Sequence, residues 1–171
     1  SCNADPAPAA APEEKVVEVK EYKANPIPVE EQEVQPLAIG ADAPDFKLMG
    51  VDGEYHTLAD YSDDEMLVIV FICNHCPTAQ AYEQRLKDFT TDYKSAGVQV
   101  VAISPNSPLG VMYNELGYSD LDDRYEDMVL RAHDANYNFP YLYDGDDHAA
   151  SLKYGPAATP HTFVFDAGRK L

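Results

Sequence analysis

Along this chain the apolar residues fall into short patterned blocks from about position 45 onward, and the first 36 residues show no such pattern. In residues 1–36 Ala, Pro, Glu, Lys and Val dominate, with no apolar period long enough for a core element. A segment of that kind buries too little surface to offset its ordering entropy, which predicts a disordered tether. Its prolines make it an extended spacer rather than a floppy one. The remaining stretch, 37–171, is about 135 residues long and suits one domain.

From Asp45 the chain alternates through Phe46 and Leu48, turns through Val51-Asp-Gly-Glu54 and continues into Tyr55-His-Thr57, which predicts a hairpin. Leu58 to Tyr61 reads as one helical turn. Met66 to Ile72 is an unbroken apolar run rich in β-branched residues, as a strand buried on both faces requires. At Pro77 the period changes. Tyr82, Leu86 and Phe89 are spaced by four and three, with Glu83, Arg85, Lys87 and Asp88 among them, and this predicts an amphipathic helix closed at Ala96-Gly97. Val98 to Ile103 is a second buried strand, so strand, helix and strand form a right-handed βαβ unit. Leu109 to Tyr118 shows no clean period and reads as an insertion.

Asp122 to Tyr137 predicts a helix with Tyr125, Met128, Val129, Ala132 and Ala135 on one face. Phe139 to Tyr143 reads as an edge segment, because Pro140 has no N–H for a ladder. Asp146 to Tyr154 is a short helix closed by Gly155, and Thr162 to Phe165 is a strand. The fold class is α/β, a central mixed sheet flanked by helices with a hairpin at the start of the domain.

Candidate chemistry sits where the central strand meets the long helix. Cys73 and Cys76 bracket that corner, and Pro77 suits the helix's first turn, where its missing N–H costs nothing. Unpaired N–H groups and the helix dipole favour a thiolate there, and the thiolate is the reactive form. His75, between the cysteines, adds positive charge when protonated. Such a pair can cycle between dithiol and disulfide, one thiolate attacking a partner disulfide and the other resolving the intermediate. Cys73 is expected to attack, as the more exposed N-terminal cysteine, and Cys76 to resolve.

Other readings of the pair fit less well. A zinc half-site needs a second ligand pair, and the only other cysteine is Cys2. A c-type haem site needs histidine directly after the second cysteine, where Pro77 stands. An inert structural disulfide remains open, although a strand-helix corner is a poor place to hide one. For a proton acceptor the incoming strand offers no acid. Glu83 on the helix is the nearest candidate, a solvated face being the simpler account of it, and the base stays unassigned. Asn106, in the loop after the second strand, is a candidate for the active-site edge. His56 reads as an exposed hairpin residue, His148 has no evident partner, and Arg124, Arg131 and His133 read as surface or helix-end residues.

These features together resemble the redoxin type of thioredoxin-fold protein, a group that includes membrane-associated thiol-disulfide oxidoreductases and the alkyl hydroperoxide reductase/thiol-specific antioxidant proteins. The likeness rests on Ala41-Asp-Ala-Pro-Asp-Phe-Lys-Leu48, Cys73-Asn-His-Cys76 and Thr159-Pro-His-Thr-Phe-Val-Phe-Asp166. It implies a cis peptide bond before Pro160, with that proline against the sulfurs, and a Thr159 backbone free to pair with a substrate segment by strand addition. Asn74 and His161 are the further expected substrate-side residues. The implied partners are protein thiols and disulfides and an upstream electron donor. The chemistry needs no cofactor and no metal.

The resemblance leaves the direction of transfer open between oxidant and reductant, with reductase favoured. It also leaves two alternatives. Cys76-Pro-Thr78 is similar to the peroxide-attacking segment of peroxiredoxins, although Cys73 replaces the threonine expected three residues earlier. Soft thiolates also suit Cu(I), so Cys73, Cys76 and His161 could serve a copper module. The superfamily continues with a returning strand and a helix after the Asp166-Ala-Gly-Arg-Lys170 turn, so a C-terminally truncated fragment is expected.

Net charge changes the picture only by exclusion. A net charge of -18 argues against nucleic acid or an anionic lipid surface as a partner, and no apolar run is long enough to span a bilayer. The Ser1-Cys2 start with its Ala/Pro-rich spacer resembles the mature end of a bacterial lipoprotein. Lipid on Cys2, and a place in the periplasm or cell envelope, are the expectation that follows.

Overall fold

The computed structural model describes residues 21–30, 32–110 and 121–171. Cys2 and nearly all of the 109–118 stretch lie outside them. In chain order the elements are β1 (Lys47–Gly50), β2 (Tyr55–Thr57), a 3-10 turn (Leu58–Tyr61), β3 (Met66–Phe71), α1 (Pro77–Tyr93), a second 3-10 turn (Lys94–Ala96) and β4 (Val98–Ser104). There follow α2 (Tyr125–Asp134), β5 (Tyr141–Tyr143), α3 (Ala149–Tyr154) and β6 (His161–Phe165). Among the described residues no helix is long and apolar enough to cross a membrane.

The strands form one mixed sheet in the order β2-β1-β5-β4-β3-β6. β3 and β4 run parallel, as the apolar runs on either side of an amphipathic helix predict, and β4 and β5 are parallel too. The other three pairings are antiparallel. Alternation along β3 divides the core. Leu67, Ile69 and Phe71 pack with Val101, Ile103, Tyr154, Phe163 and Phe165 on one face of the sheet. Val68, Val70 and Ile72 pack with Val100, Ala102, Tyr125, Met128 and Tyr141 on the other. Burial on both faces is why β3 reads as a continuous apolar run rather than an alternating one.

Four expectations change. The Phe139–Tyr143 segment is not an edge: β5 lies between β4 and β1, and all three of its residues are buried. Pro140 precedes the strand and contributes its carbonyl, which accepts the Ala102 N–H at 2.8 Å, so its missing donor costs the ladder nothing. Second, part of the segment read as a tether is packed. The Tyr22 ring meets Tyr125 at 4.8 Å, its hydroxyl donates to Asp146 at 2.5 Å, and the Ile27 N–H donates to the Asp146 carbonyl at 2.8 Å. Third, His56 is half-buried between the Tyr61 hydroxyl at 2.7 Å and Asp52 at 2.9 Å. Finally, the stripe on α1 is only partly covered: Leu86 packs on the core, whereas Tyr82 is 50% exposed. Tyr82 and Phe89 line an apolar groove of about 610 Å³ with Met66, Val68 and Val164.

α2 ends earlier than its apolar face suggests, because Asn136 takes a left-handed φ of 52°. Gly155 closes α3 at φ 65°, where a side chain would collide with the Gln35 carbonyl. After β6 the chain turns back at Asp166, and the Leu171 N–H donates to the Ala41 carbonyl at 3.0 Å.

Candidate active site

Sheet register assembles the site. β3 and β6 pair with Phe71 opposite His161, so the residues leaving β3 lie beside those entering β6. Cys73 to Cys76 form the corner, Cys76 is the N-cap of α1 and Pro77 its first residue. Thr159-Pro160, joined by a cis peptide bond as the resemblance implies, enters from the other side. Thr159 meets both sulfurs. Its hydroxyl is 3.2 Å from Cys73 Sγ, and its carbonyl accepts from Cys76 Sγ at 3.3 Å.

The two thiols differ in exposure, in the reverse of the expected order. Cys73 is only 4% exposed, and Cys76, at the helix end, is the more open. The reason is local: the helix starts after the second cysteine, so the first remains in the tail of the buried strand. Burial, reinforced by the charge of Asp123, pushes the Cys73 thiol up to about 12 despite a hydrogen bond to Thr159. Burial acts in the same direction on Cys76 but is outweighed. The polar groups gathered round the helix start, the Ala79 and Thr78 backbone N–H groups with the Thr159 side chain and the Cys73 thiol, favour its charged form, and its pKa lies below the ordinary thiol value.

Behind the corner sits a buried acid that sequence reasoning did not single out. Asp123, 0% exposed, accepts from the Asn74 N–H at 2.8 Å, from His75 Nδ1 at 2.6 Å and from Asn106 Nδ2 at 2.7 Å. Cys73 Sγ, an imidazole nitrogen of His75 and an Asp123 carboxylate oxygen all lie within 4.8 Å of one another. Both Asp123 oxygens accept hydrogen bonds, which joins the corner and the loop after β4 in one hydrogen-bonded network. The only local signal for Asp123 was an acidic pair just before a helix, and nothing in its neighbourhood points to a corner 48 residues earlier in the chain.

The remaining candidates separate. Asn106 does reach the site edge, through Asp123. Asn74, expected on the substrate side, is 2% exposed and fully engaged: Nδ2 donates to the Asp122 carbonyl at 2.7 Å and Oδ1 accepts from Tyr141 at 3.1 Å. Its role is to brace the loop. His161 turns its Nδ1 to the Ala157 N–H at 2.9 Å and stacks on Phe163 at 4.5 Å. Glu83 is held away from the sulfurs by Arg131 at 2.6 Å and Tyr137 at 2.9 Å. His148 has a partner after all, the Pro105 carbonyl at 2.7 Å. With His75, Asn106 and Thr159 it lines a cleft of about 470 Å³ beside the corner.

Comparison with known proteins agrees with this architecture. Residues 39–171 match the model of the AhpC/TSA family. The thiol-disulfide oxidoreductase ResA of Geobacillus thermodenitrificans is 25% identical over 137 residues, covering 79% of this chain and 67% of that protein. An uncharacterized conserved protein from Geobacillus kaustophilus superposes with a TM-score of 0.68 at 36% identity, over 78% of this chain and 66% of its own. The thioredoxin domain of a thiol-disulfide oxidoreductase from Bacteroides vulgatus superposes with a TM-score of 0.62 at 18% identity, over 78% of this chain and 85% of its own. At that identity the likeness shows the fold alone, and the fold is thioredoxin-like.

Proposed function

The chain belongs to the AhpC/TSA family, and from that premise we propose that it is a thiol-disulfide oxidoreductase working on protein thiols through Cys73 and Cys76. One observation carries the reading: two thiols of opposite ionisation tendency converge on Thr159. The printed name of the ResA relative supports it, although the chain spans only two thirds of that protein's length.

In this reading Cys76, the more exposed and more acidic thiol, attacks first. Its thiolate forms a bond to one sulfur of the substrate disulfide and expels the other as a thiolate. Cys73 then loses its proton and attacks Cys76 Sγ, closing the Cys73–Cys76 disulfide and releasing the second substrate thiolate. The substrate disulfide gains two electrons and the protein dithiol loses two, so an upstream dithiol must restore it. Thr159 and Pro160 form the ledge for the substrate backbone, proline offering no N–H to compete with the sulfurs. His161, with its ring engaged, contributes at most its main chain.

Trapping tests the assignment. Cys73→Ser should accumulate a mixed disulfide with a disulfide-bonded test peptide, and Cys76→Ser should not; the opposite pattern would return the attacking role to Cys73. The direction is proposed to be reductive, and the potential of the pair decides it. A value near about -270 mV suits a reductase and one near about -120 mV an oxidant.

A second reading, thiol peroxidase through Cys76, is favoured by the thiolate-stabilising helix N-cap followed by Pro77 and Thr78. Rapid, saturating consumption of hydrogen peroxide by the reduced protein in stopped flow would select it. Slow consumption at the rate of a free thiol would leave exchange as the activity.

A further inference from the structure

Exchange through a buried resolving thiol has a chemical requirement that the cysteines alone do not meet. Cys73 is nearly inaccessible and hydrogen-bonded, yet it must give up its proton before it can attack Cys76 Sγ. Water reaches that position poorly, so the proton needs an internal acceptor. β3 carries none, and Glu83 is committed to Arg131 and Tyr137.

We propose that Asp123 acts through His75: it fixes the imidazole within the Cys73–Cys76 corner and supplies the negative charge that lets His75 take the Cys73 proton as the mixed disulfide resolves. This inference rests on the exchange reading above and assigns its missing base. Three features of the geometry carry it. Asp123 is fully buried, and its two oxygens are fixed by three donors from two loops, so its charge has a set position. With the His75 Nδ1–H donating to Asp123 at 2.6 Å one tautomer is selected, and among the described residues Nε2 has no hydrogen-bond partner, which makes it the ring's proton acceptor. The His75 side chain is partly open to the cleft, so the proton it gains can pass to the departing substrate thiolate.

A carboxylate held against an imidazole stabilises the imidazolium that proton transfer creates, the logic of any acid-base pair in which a buried carboxylate orients a histidine. The proton balance closes: Cys73 S–H gives its proton to His75, the Cys73–Cys76 bond forms as the Cys76–substrate bond breaks, and His75 returns the proton to the released thiolate. Asp123 touches no reacting atom and is a positioning residue. The groups facing it are Cys73 and His75 from the corner, Asn106 from the loop after β4 and Tyr141 from β5. Its chain neighbours Asp122, Arg124 and Asp127 pair with one another.

The test separates the two steps of exchange. In single-turnover reactions of the full chain with a disulfide-bonded test peptide, Asp123→Asn should slow closure of the Cys73–Cys76 disulfide more than tenfold, with a much smaller effect on mixed-disulfide formation. His75→Ala, at a partly exposed side chain, should give the same defect with the buried carboxylate intact, and the double variant should be no slower than either single one. Asp123→Glu should recover part of the loss. An independent readout is the ultraviolet thiolate absorbance of Cys73 in Cys76→Ser protein, whose titration should move to lower pH when Asp123→Asn removes the neighbouring charge. Closure at the wild-type rate in both variants would overturn the proposal, as would an unmoved Cys73 titration in folded Asp123→Asn protein. Failure of the wild type to form any mixed disulfide would instead overturn the exchange reading, and the resolving role of Asp123 with it.

Discussion

The Thr159 hydroxyl stands 3.2 Å from the Cys73 sulfur, joining the entry of β6 to the exit of β3 at the point where the chemistry is expected. The Thr159 side chain also lowers the pKa of Cys76. Thr159→Ala removes the hydroxyl from beside both sulfurs and leaves the carbonyl in place. The Cys76 thiol should then titrate at higher pH and react more slowly with a test disulfide at neutral pH, and Thr159→Ser should restore both. Thiolate absorbance against pH checks the first effect. An unchanged Cys76 titration in the alanine variant would mean that the hydroxyl serves structure only.

Selective alkylation follows from the same pair. At neutral pH iodoacetamide should modify Cys76 well before Cys73, because one thiol is partly open with a lowered pKa and the other is buried with a raised one. Peptide mapping by mass spectrometry after a short pulse reads the order. Label appearing first on Cys73 would contradict the burial of that thiol.

The corner and the Thr159-Pro160 segment were legible in the sequence because each is local: an apolar run, two cysteines, a helix-starting proline, and a Thr-Pro before a second apolar run. The hairpin was legible through Asp52-Gly53 for the same reason. What the sequence hid depends on distant parts of the chain. Asn74 is buried because Asp122, Asp123 and Tyr141 converge on it. Asp123 itself carries no local mark of its role. β5 was misread because Pro140 suggests an edge, whereas its carbonyl, not its nitrogen, faces the neighbouring strand.

That correction can be tested through Leu142, which is fully buried in β5 and pairs with Ile103 on one side and Gly50 on the other. Leu142→Ala should cost about 2–5 kcal/mol, as for a leucine removed from a closed core. Urea denaturation measures it. A loss within about 0.5 kcal/mol, typical of surface substitutions, would restore the edge reading.

Glu83 separates stability from chemistry. It accepts from Arg131 Nε at 3.0 Å, Arg131 Nη2 at 2.6 Å and the Tyr137 hydroxyl at 2.9 Å, tying α1 to α2 and the segment after it. Glu83→Gln should lower stability by about 1–2 kcal/mol, given the partial exposure of the pair. The pH dependence of disulfide exchange should stay as in the wild type. A shifted pH profile with unchanged stability would make Glu83 the proton acceptor after all.

The raised pKa of Cys73 also makes stability depend on pH, and the sign can be worked out. In the unfolded chain this thiol ionises near its ordinary value of 9.0, whereas burial and the charge of Asp123 hold the proton in the folded state up to about 12. Between those values the folded state binds more protons than the unfolded one, so the free energy of unfolding falls as pH rises through the window. Cys76 works the other way. Its folded pKa is lowered, so its contribution is present above the unfolded value and is lost as pH falls through the folded one. Lysines and tyrosines titrate in the same alkaline range, so the useful quantity is the difference between the wild type and Cys73→Ala. That difference should decline steadily from about pH 9 to about pH 12, because the variant has no thiol to titrate. Denaturant midpoints across the alkaline series measure it. A difference independent of pH would mean that Cys73 ionises as freely in the folded protein as in the unfolded chain, leaving no need for an internal acceptor such as the Asp123–His75 pair.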